Sequence, residues 1–192
     1  MAETINPARD DYASDNIKKP ANVAVLTGTL LILLLVAAVA VSPRVPIYDE
    51  GFYLESAWFL RRHFDFFVLM NARLDLAAGP FYAYLHHFAG PLTGLRPPAI
   101  RYVNVGALII AILAIGSTIR RLGYDQPMAR AAMLLAVPMI WPTSGLALTE
   151  IPALTLASLA VLPVVVASRA SAARQWPLLL LAGLCAGLAI TA

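Results

Sequence analysis

The sequence predicts an all-α fold: a polytopic transmembrane helical protein with interfacial amphipathic helices in its first extracytoplasmic loop. Three observations carry this. Of 192 residues, 60% are hydrophobic and 13% charged, about half the charged share of a soluble domain. The apolar residues come in uninterrupted blocks rather than at the spacing of half-buried helices or strands, and such blocks need lipid as their solvent. The basic pairs Lys18-Lys19, Arg61-Arg62 and Arg120-Arg121 each lie beside an apolar block, where they act first as topology signals. The net charge of +3 contains no longer basic run, so nothing points to nucleic acid as a partner. The single cysteine, Cys185, excludes an internal disulfide and a cysteine-based zinc site.

Taken in order, residues 1–22 read as a polar cytoplasmic tail, disordered over its first 20 residues. Val23–Val41 carries no charge and at 1.5 Å per residue covers roughly 29 Å, one bilayer core. Ala38-Val39-Ala40 resembles a signal-peptide cleavage site, but the long acidic-containing leader favours an uncleaved anchor. Further spans are expected at residues 102–119, 131–148, 151–167 and 176–192. Leu76–Leu95 is also free of charge, yet charge counting rejects it. Without it, Arg9, Lys18, Lys19, Arg120, Arg121, Arg130, Arg169 and Arg174 lie inside, eight basic residues against six outside. With it, the balance inverts to five against nine, contrary to the positive-inside bias. Its His86-His87, Gly79-Pro80 and Gly90-Pro91 suit an interfacial or re-entrant segment buried against protein. The outer loop therefore runs over residues 42–101, the turn at Thr149-Glu150 lies outside, and the loops at 120–130 and 168–175 lie inside. Domain 23–192 reads as the N-terminal part of a longer multi-span membrane domain, in a cell (inner) membrane with the N-terminus cytoplasmic. Gly183 and Gly187 form a small-xxx-small pair suited to close helix packing.

All seven phenylalanines and all three histidines fall between Phe52 and Phe88, within this loop. Asp49–Arg62 (DEGFYLESAWFLRR) reads as an amphipathic helix on the membrane surface, with Phe52, Trp58 and Phe59 towards lipid and Glu55 and Arg62 towards water. Asp49 or Glu50 at its start faces the helix dipole, either as a plain cap or as a functional acid. Glu150 has the same two readings. It opens a span with Thr149 as N-cap and Pro152 in the first turn, and acids kept at a membrane boundary suggest function. Pro138 and Pro142 should bend the preceding span. Arg73, Arg96 and Arg101 lie outside and near the bilayer, either snorkelling to headgroups or holding a lipid phosphate through their planar forks. His86-His87 lacks a third ligand at diagnostic spacing, so packing is the better reading than metal.

Tyr48-Asp49-Glu50 after the first span, Gly79-Pro80-Phe81-Tyr82-Ala83-Tyr84, Arg101-Tyr102-Val103-Asn104 and Thr149-Glu150-Ile151-Pro152 occur in an order that carries a resemblance. Over residues 23–192 the chain resembles the N-terminal part of GT-C glycosyltransferases that use polyprenyl-phosphate sugars, of the protein O-mannosyltransferase and lipid A aminoarabinose transferase kinds. The resemblance implies a multi-span enzyme acting on the extracytoplasmic face. It implies that Asp49, its neighbour Glu50 and Glu150 are the catalytic acids, with Arg73 or Arg101 on the lipid phosphate. Glu150 stands where the family often has Asp, and Gly79 where aminoarabinose-type relatives carry a phosphate-binding Lys. The implied partners are a polyprenyl-phosphate-linked sugar, the bilayer and an acceptor glycan, lipid or protein. No cofactor is demanded, although a divalent cation serves some such enzymes. A transporter subunit and a non-catalytic cell-envelope membrane protein are the competing expectations. The first is less favoured because the middles of the spans carry no ionisable residue.

Overall fold

A computed structural model gives the fold and describes residues 7–47, 49–62 and 80–192. The described chain forms α1 (Pro7–Ala40), α2 (Glu50–Arg62), α3 (Pro80–Thr93), α4 (Arg101–Leu122), α5 (Pro127–Ala132), a 3-10 turn (Met133–Ala136), α6 (Ile140–Gly145), α7 (Glu150–Ala167) and α8 (Ala172–Ile190). Among the described residues, four helices are long and apolar enough to cross a membrane: the Asn22–Ala40 part of α1, α4, α7 and α8. Only 17% of the apolar stretch of α1 and 6% of that of α8 is buried within the chain. The remaining apolar surface needs lipid or further protein around it.

The bundle has two ends, named here by the arginines at either end of α4. At the Arg101 end, α1 finishes and α4 and α7 begin. Thr155 Oγ1 donates to Ala107 O at 2.8 Å, and Ile115 and Thr118 of α4 lie across a groove from Ala157 and Val161 of α7. These two helices therefore run in the same direction. The central cluster joins Leu35 and Val39 of α1 to Val105, Leu108 and Ile112 of α4, with Leu135 and Ile151. A second cluster of Leu54, Ala57, Leu95, Ile100 and Ala147 lays α2 across the Arg101 end. Phe81 N donates to Thr191 O at 3.2 Å, so α8 also finishes there. At the opposite end, Gly123 stops α4 with φ +87°, a left-handed conformation that glycine adopts without steric cost.

Several expectations change. The polar tail is helical from Pro7 onward: proline suits a first helical turn, and extending an existing helix costs far less than nucleating one. The block 131–148 is not one bent span but α5, the 3-10 turn and α6 in sequence. Val137, placed before Pro138, is extended at ψ 115°, because a residue preceding proline is pushed out of the helical region. Pro142 falls in the first turn of α6, where its missing N–H is not needed. This broken segment still carries the chain from the Arg121 end back to the Arg101 end. Gly28 of α1 faces Ala132 and Gly145 faces Leu35, which is how α4 and α7 come to be parallel. Gly183 and Gly187 meet no atom within 4 Å of an added Cβ, so their close-packing face is unused within the described residues. Within Leu76–Leu95, the described helix is α3, whose 14 residues cover about 21 Å, short of a bilayer core.

Candidate functional site

The Arg101 end is built around a buried ion pair. Glu50, the first residue of α2, and Arg101, the first of α4, are both 0% exposed. Arg101 Nε donates to Glu50 Oε1 at 2.8 Å and Nη2 to Oε2 at 2.6 Å. Nη1 donates to Ser42 Oγ at 2.6 Å and Pro43 O at 2.7 Å, and Nη2 also to Val45 O at 3.1 Å. These bonds engage all five guanidinium N–H groups. Glu50 is equally saturated: besides the arginine it accepts from Ile47 N at 3.1 Å and Ala147 N at 3.0 Å. The expectation that Arg101 binds a lipid phosphate gives way here, because it has no donor left to offer. Glu50 likewise has no lone pair free for acid–base work. Both residues act as positioning groups. The pair staples four segments together: the 42–47 loop, the start of α2, the start of α4 and the turn at Ala147.

Asn104, one turn into α4 and fully buried, reinforces the same junction. Its Nδ2 reaches Leu146 O and Leu148 O at 2.7 Å each, and Thr143 O at 3.3 Å. Carbonyls released where α6 ends are thus satisfied by one side-chain amide rather than by a following helical turn. The staple fixes the backbone on both sides of it. Asp49 adjoins Glu50, and Glu150 follows Ala147 by three residues.

Asp49 and Glu150 are exposed, in contrast to Glu50. They meet electrostatically at Tyr53, one turn after Asp49 on α2. Burial pushes the Tyr53 hydroxyl above its ordinary value, and the charges of Asp49 and Glu150 push it further; a hydrogen bond with Thr149 pulls the other way. The capping role expected of Thr149 is not made: among the described residues, no side chain caps the N-terminus of α7. Tyr82 of α3 lies next, its ring centroid 5.7 Å from that of Tyr53. Its hydroxyl donates to Ala147 O. Burial first, and then the charge of Glu50, hold that hydroxyl well above its usual range. Both tyrosines stay protonated at neutral pH, and Tyr82 acts as a neutral donor.

His86 completes the buried layer, with its ring centroid 4.0 Å from that of Tyr82. Its Nδ1 lies 3.1 Å from Tyr82 O. A carbonyl only accepts, so Nδ1 is the protonated nitrogen and Nε2 is a bare acceptor; among the described residues it has no partner. Burial lowers the His86 pKa to about 4, against the opposing pull of the Tyr82 carbonyl and Glu50. This is the packing role expected of the histidine. Among the described residues, no three His, Cys, Asp or Glu side chains gather as a metal site.

Of the predicted site residues, Asp49, Glu50, Arg101 and Glu150 come together at one end of the bundle, while Arg73 lies outside the described residues. Phe52 and Trp58 are exposed, whereas Phe59, expected to face lipid, packs beside Leu60, Ala83 and Tyr84. Sequence reasoning missed Tyr53, Thr149 and Tyr82. The four-residue spacing from Asp49 to Tyr53 on a helix was the available signal for the first; the other two depend on tertiary contacts. No family model, curated protein or solved structure matches the chain.

Proposed function

We propose that this chain belongs to a multi-pass membrane glycosyltransferase, moving a sugar from a polyprenyl-phosphate donor to an acceptor hydroxyl on the extracytoplasmic face. The observation that carries this reading is that two exposed carboxylates, Asp49 and Glu150, flank the bond from Ala147 N to Glu50, so that both emerge at one end of the bundle. They come from elements a hundred residues apart and sit at the end of the bundle where α4 and α7 begin. In a membrane with the N-terminus cytoplasmic, that end lies at outer headgroup level, where the glycosyl–phosphate bond of a lipid-linked donor also lies.

Asp49 takes the proton from the acceptor hydroxyl as its oxygen attacks the anomeric carbon. The bond from that carbon to the phosphate oxygen breaks, and the lipid phosphate leaves with the electron pair, inverting the centre. Glu150 orients the acceptor, while the bond from Ala147 N to Glu50 ties the segments that carry the two acids. Arg73 is the remaining candidate from the predicted set for the charge growing on the phosphate. A divalent cation held between Asp49 and Glu150 is compatible with their exposure.

The test is sugar transfer from polyprenyl-phosphate donors by membranes carrying the protein. Asp49→Asn should lower transfer by about 100-fold or more, the range of a lost general base, and Glu150→Gln should lower it by a smaller factor. Transfer at the wild-type rate in both variants would remove the carboxylate pair from the mechanism.

A further inference from the structure

A separate feature of the Arg101 end is a groove of about 810 Å³ lined by Trp58, Arg61, Arg62, Gly94 and Arg96. Arg61 and Arg62 form the last turn of α2, and Arg96 belongs to the turn after α3. Two elements thus bring three exposed guanidinium groups to one concavity. Among the described residues, no carboxylate forms an ion pair with any of them. Complementing the helix dipole accounts for a basic last turn of α2. It does not account for Arg96, which comes from another element, or for the wall it shares.

That wall is built rather than incidental. Trp58 Nε1 donates to Leu95 O at 3.0 Å, which fixes the indole plane. The turn carrying Arg96 has two successive left-handed residues, Gly94 at φ 63° and Leu95 at φ 56°. It is tied by Gly94 N to Gly90 O at 2.8 Å and by Leu95 N to Thr93 Oγ1 at 3.3 Å. The Leu95 side chain is 1% exposed, so packing holds the turn in this shape.

Geometry also separates this groove from the carboxylates. Arg61 stands twelve positions after Asp49, about 18 Å along α2. A donor phosphate is one bond from the carbon under attack, so the groove is too distant to hold it. We propose that the groove is a second anion site, which takes a phosphate group through the forks of Arg61, Arg62 and Arg96. Guanidinium groups pair phosphate oxygens two at a time. The indole beside them, its N–H already committed, offers an apolar face to whatever carries the phosphate. That carrier is either the headgroup of an anionic lipid or a free phosphate or diphosphate. The proposal stands whether or not Asp49 is a base.

The experiment is equilibrium binding to the purified chain in uncharged detergent, using short-chain phosphatidic acid, phosphatidylcholine of equal chain length, and inorganic pyrophosphate. Phosphatidic acid should bind about tenfold or more tighter than phosphatidylcholine. The triple change Arg61→Gln, Arg62→Gln and Arg96→Gln should remove that preference, and Arg96→Gln alone should reduce it about threefold or more. An equal loss of charge at Arg44, Arg120 and Arg130, none of which lines the groove, should leave it intact. Pyrophosphate binding with the same dependence on the groove arginines would assign the site to free phosphates; binding of phosphatidic acid alone would assign it to lipid. Failure of both anions to bind, an unchanged affinity in Arg96→Gln, or an equal effect of the two triple changes would overturn the proposal.

Discussion

At the scale of single residues, neighbours of similar chemistry have opposite fates. Asp49 and Glu50 are adjacent acids at the start of one helix, yet one is exposed and the other fully buried. Helical geometry turns successive side chains about 100° apart, so one faces solvent and the other the staple. Glu50→Gln should therefore act on stability. Leaving Arg101 buried without its counter-charge costs about 3–5 kcal/mol, read as a lower unfolding midpoint in detergent. The double change Glu50→Gln with Arg101→Met should recover part of the loss. A double variant as damaged as the single would show that the charge pair is not what the site depends on. His86 gives a second residue-scale expectation. Its folded pKa of about 4 lies below the ordinary 6.5, so the unfolded chain binds the extra proton first. Stability should thus fall as pH drops from 6.5 towards 4, by up to roughly 3 kcal/mol, and be flat above that window. His86→Gln should flatten the pH profile of the unfolding midpoint; an unchanged slope would assign the acid sensitivity to other groups.

At the scale of elements, legibility followed the kind of signal. Four helices long and apolar enough to cross a membrane were readable because uncharged blocks of bilayer length have few alternative solutions, and α2 was readable from its amphipathic spacing and its acidic start. The broken crossing at 131–148 was not, since hydropathy registers apolar content and is blind to backbone breaks. Its prolines pointed to a bend, but Asn104, forty residues away, supplies the bonds that allow a full interruption. The packing of that segment on α1 is testable. A Cβ on Gly28 would stand 3.0 Å from the Ala132 Cβ, a short atom that has no rotamer to yield. Gly28→Leu should destabilise the α1–α5 contact by about 1–3 kcal/mol, visible as a lower unfolding midpoint. Gly106→Leu, where a Cβ meets open space, should have little effect. Equal effects of the two changes would mean that helix α1 is not seated against Ala132.

At the scale of the whole molecule, chain direction explains the site. Helix α1 rises, α4 descends, the broken segment rises again and α7 descends, so Glu150 returns to the end where Asp49 sits. Counting basic residues anticipated that convergence without any contact information. It could not distinguish the acid that is sealed by Arg101 from those left open, because that choice depends on five hydrogen bonds to loop carbonyls, a hydroxyl and a carboxylate far apart in sequence. The central claim is that Asp49 and Glu150 share the extracytoplasmic face. Its most direct measurement is labelling by a membrane-impermeant maleimide in a Cys185→Ser background, with Asp49→Cys, Glu150→Cys and Arg169→Cys made singly. Asp49→Cys and Glu150→Cys should react in intact cells, and Arg169→Cys only after permeabilisation. Reaction of either Asp49→Cys or Glu150→Cys only after permeabilisation would place the two carboxylates on opposite faces, or both inside, and contradict the account.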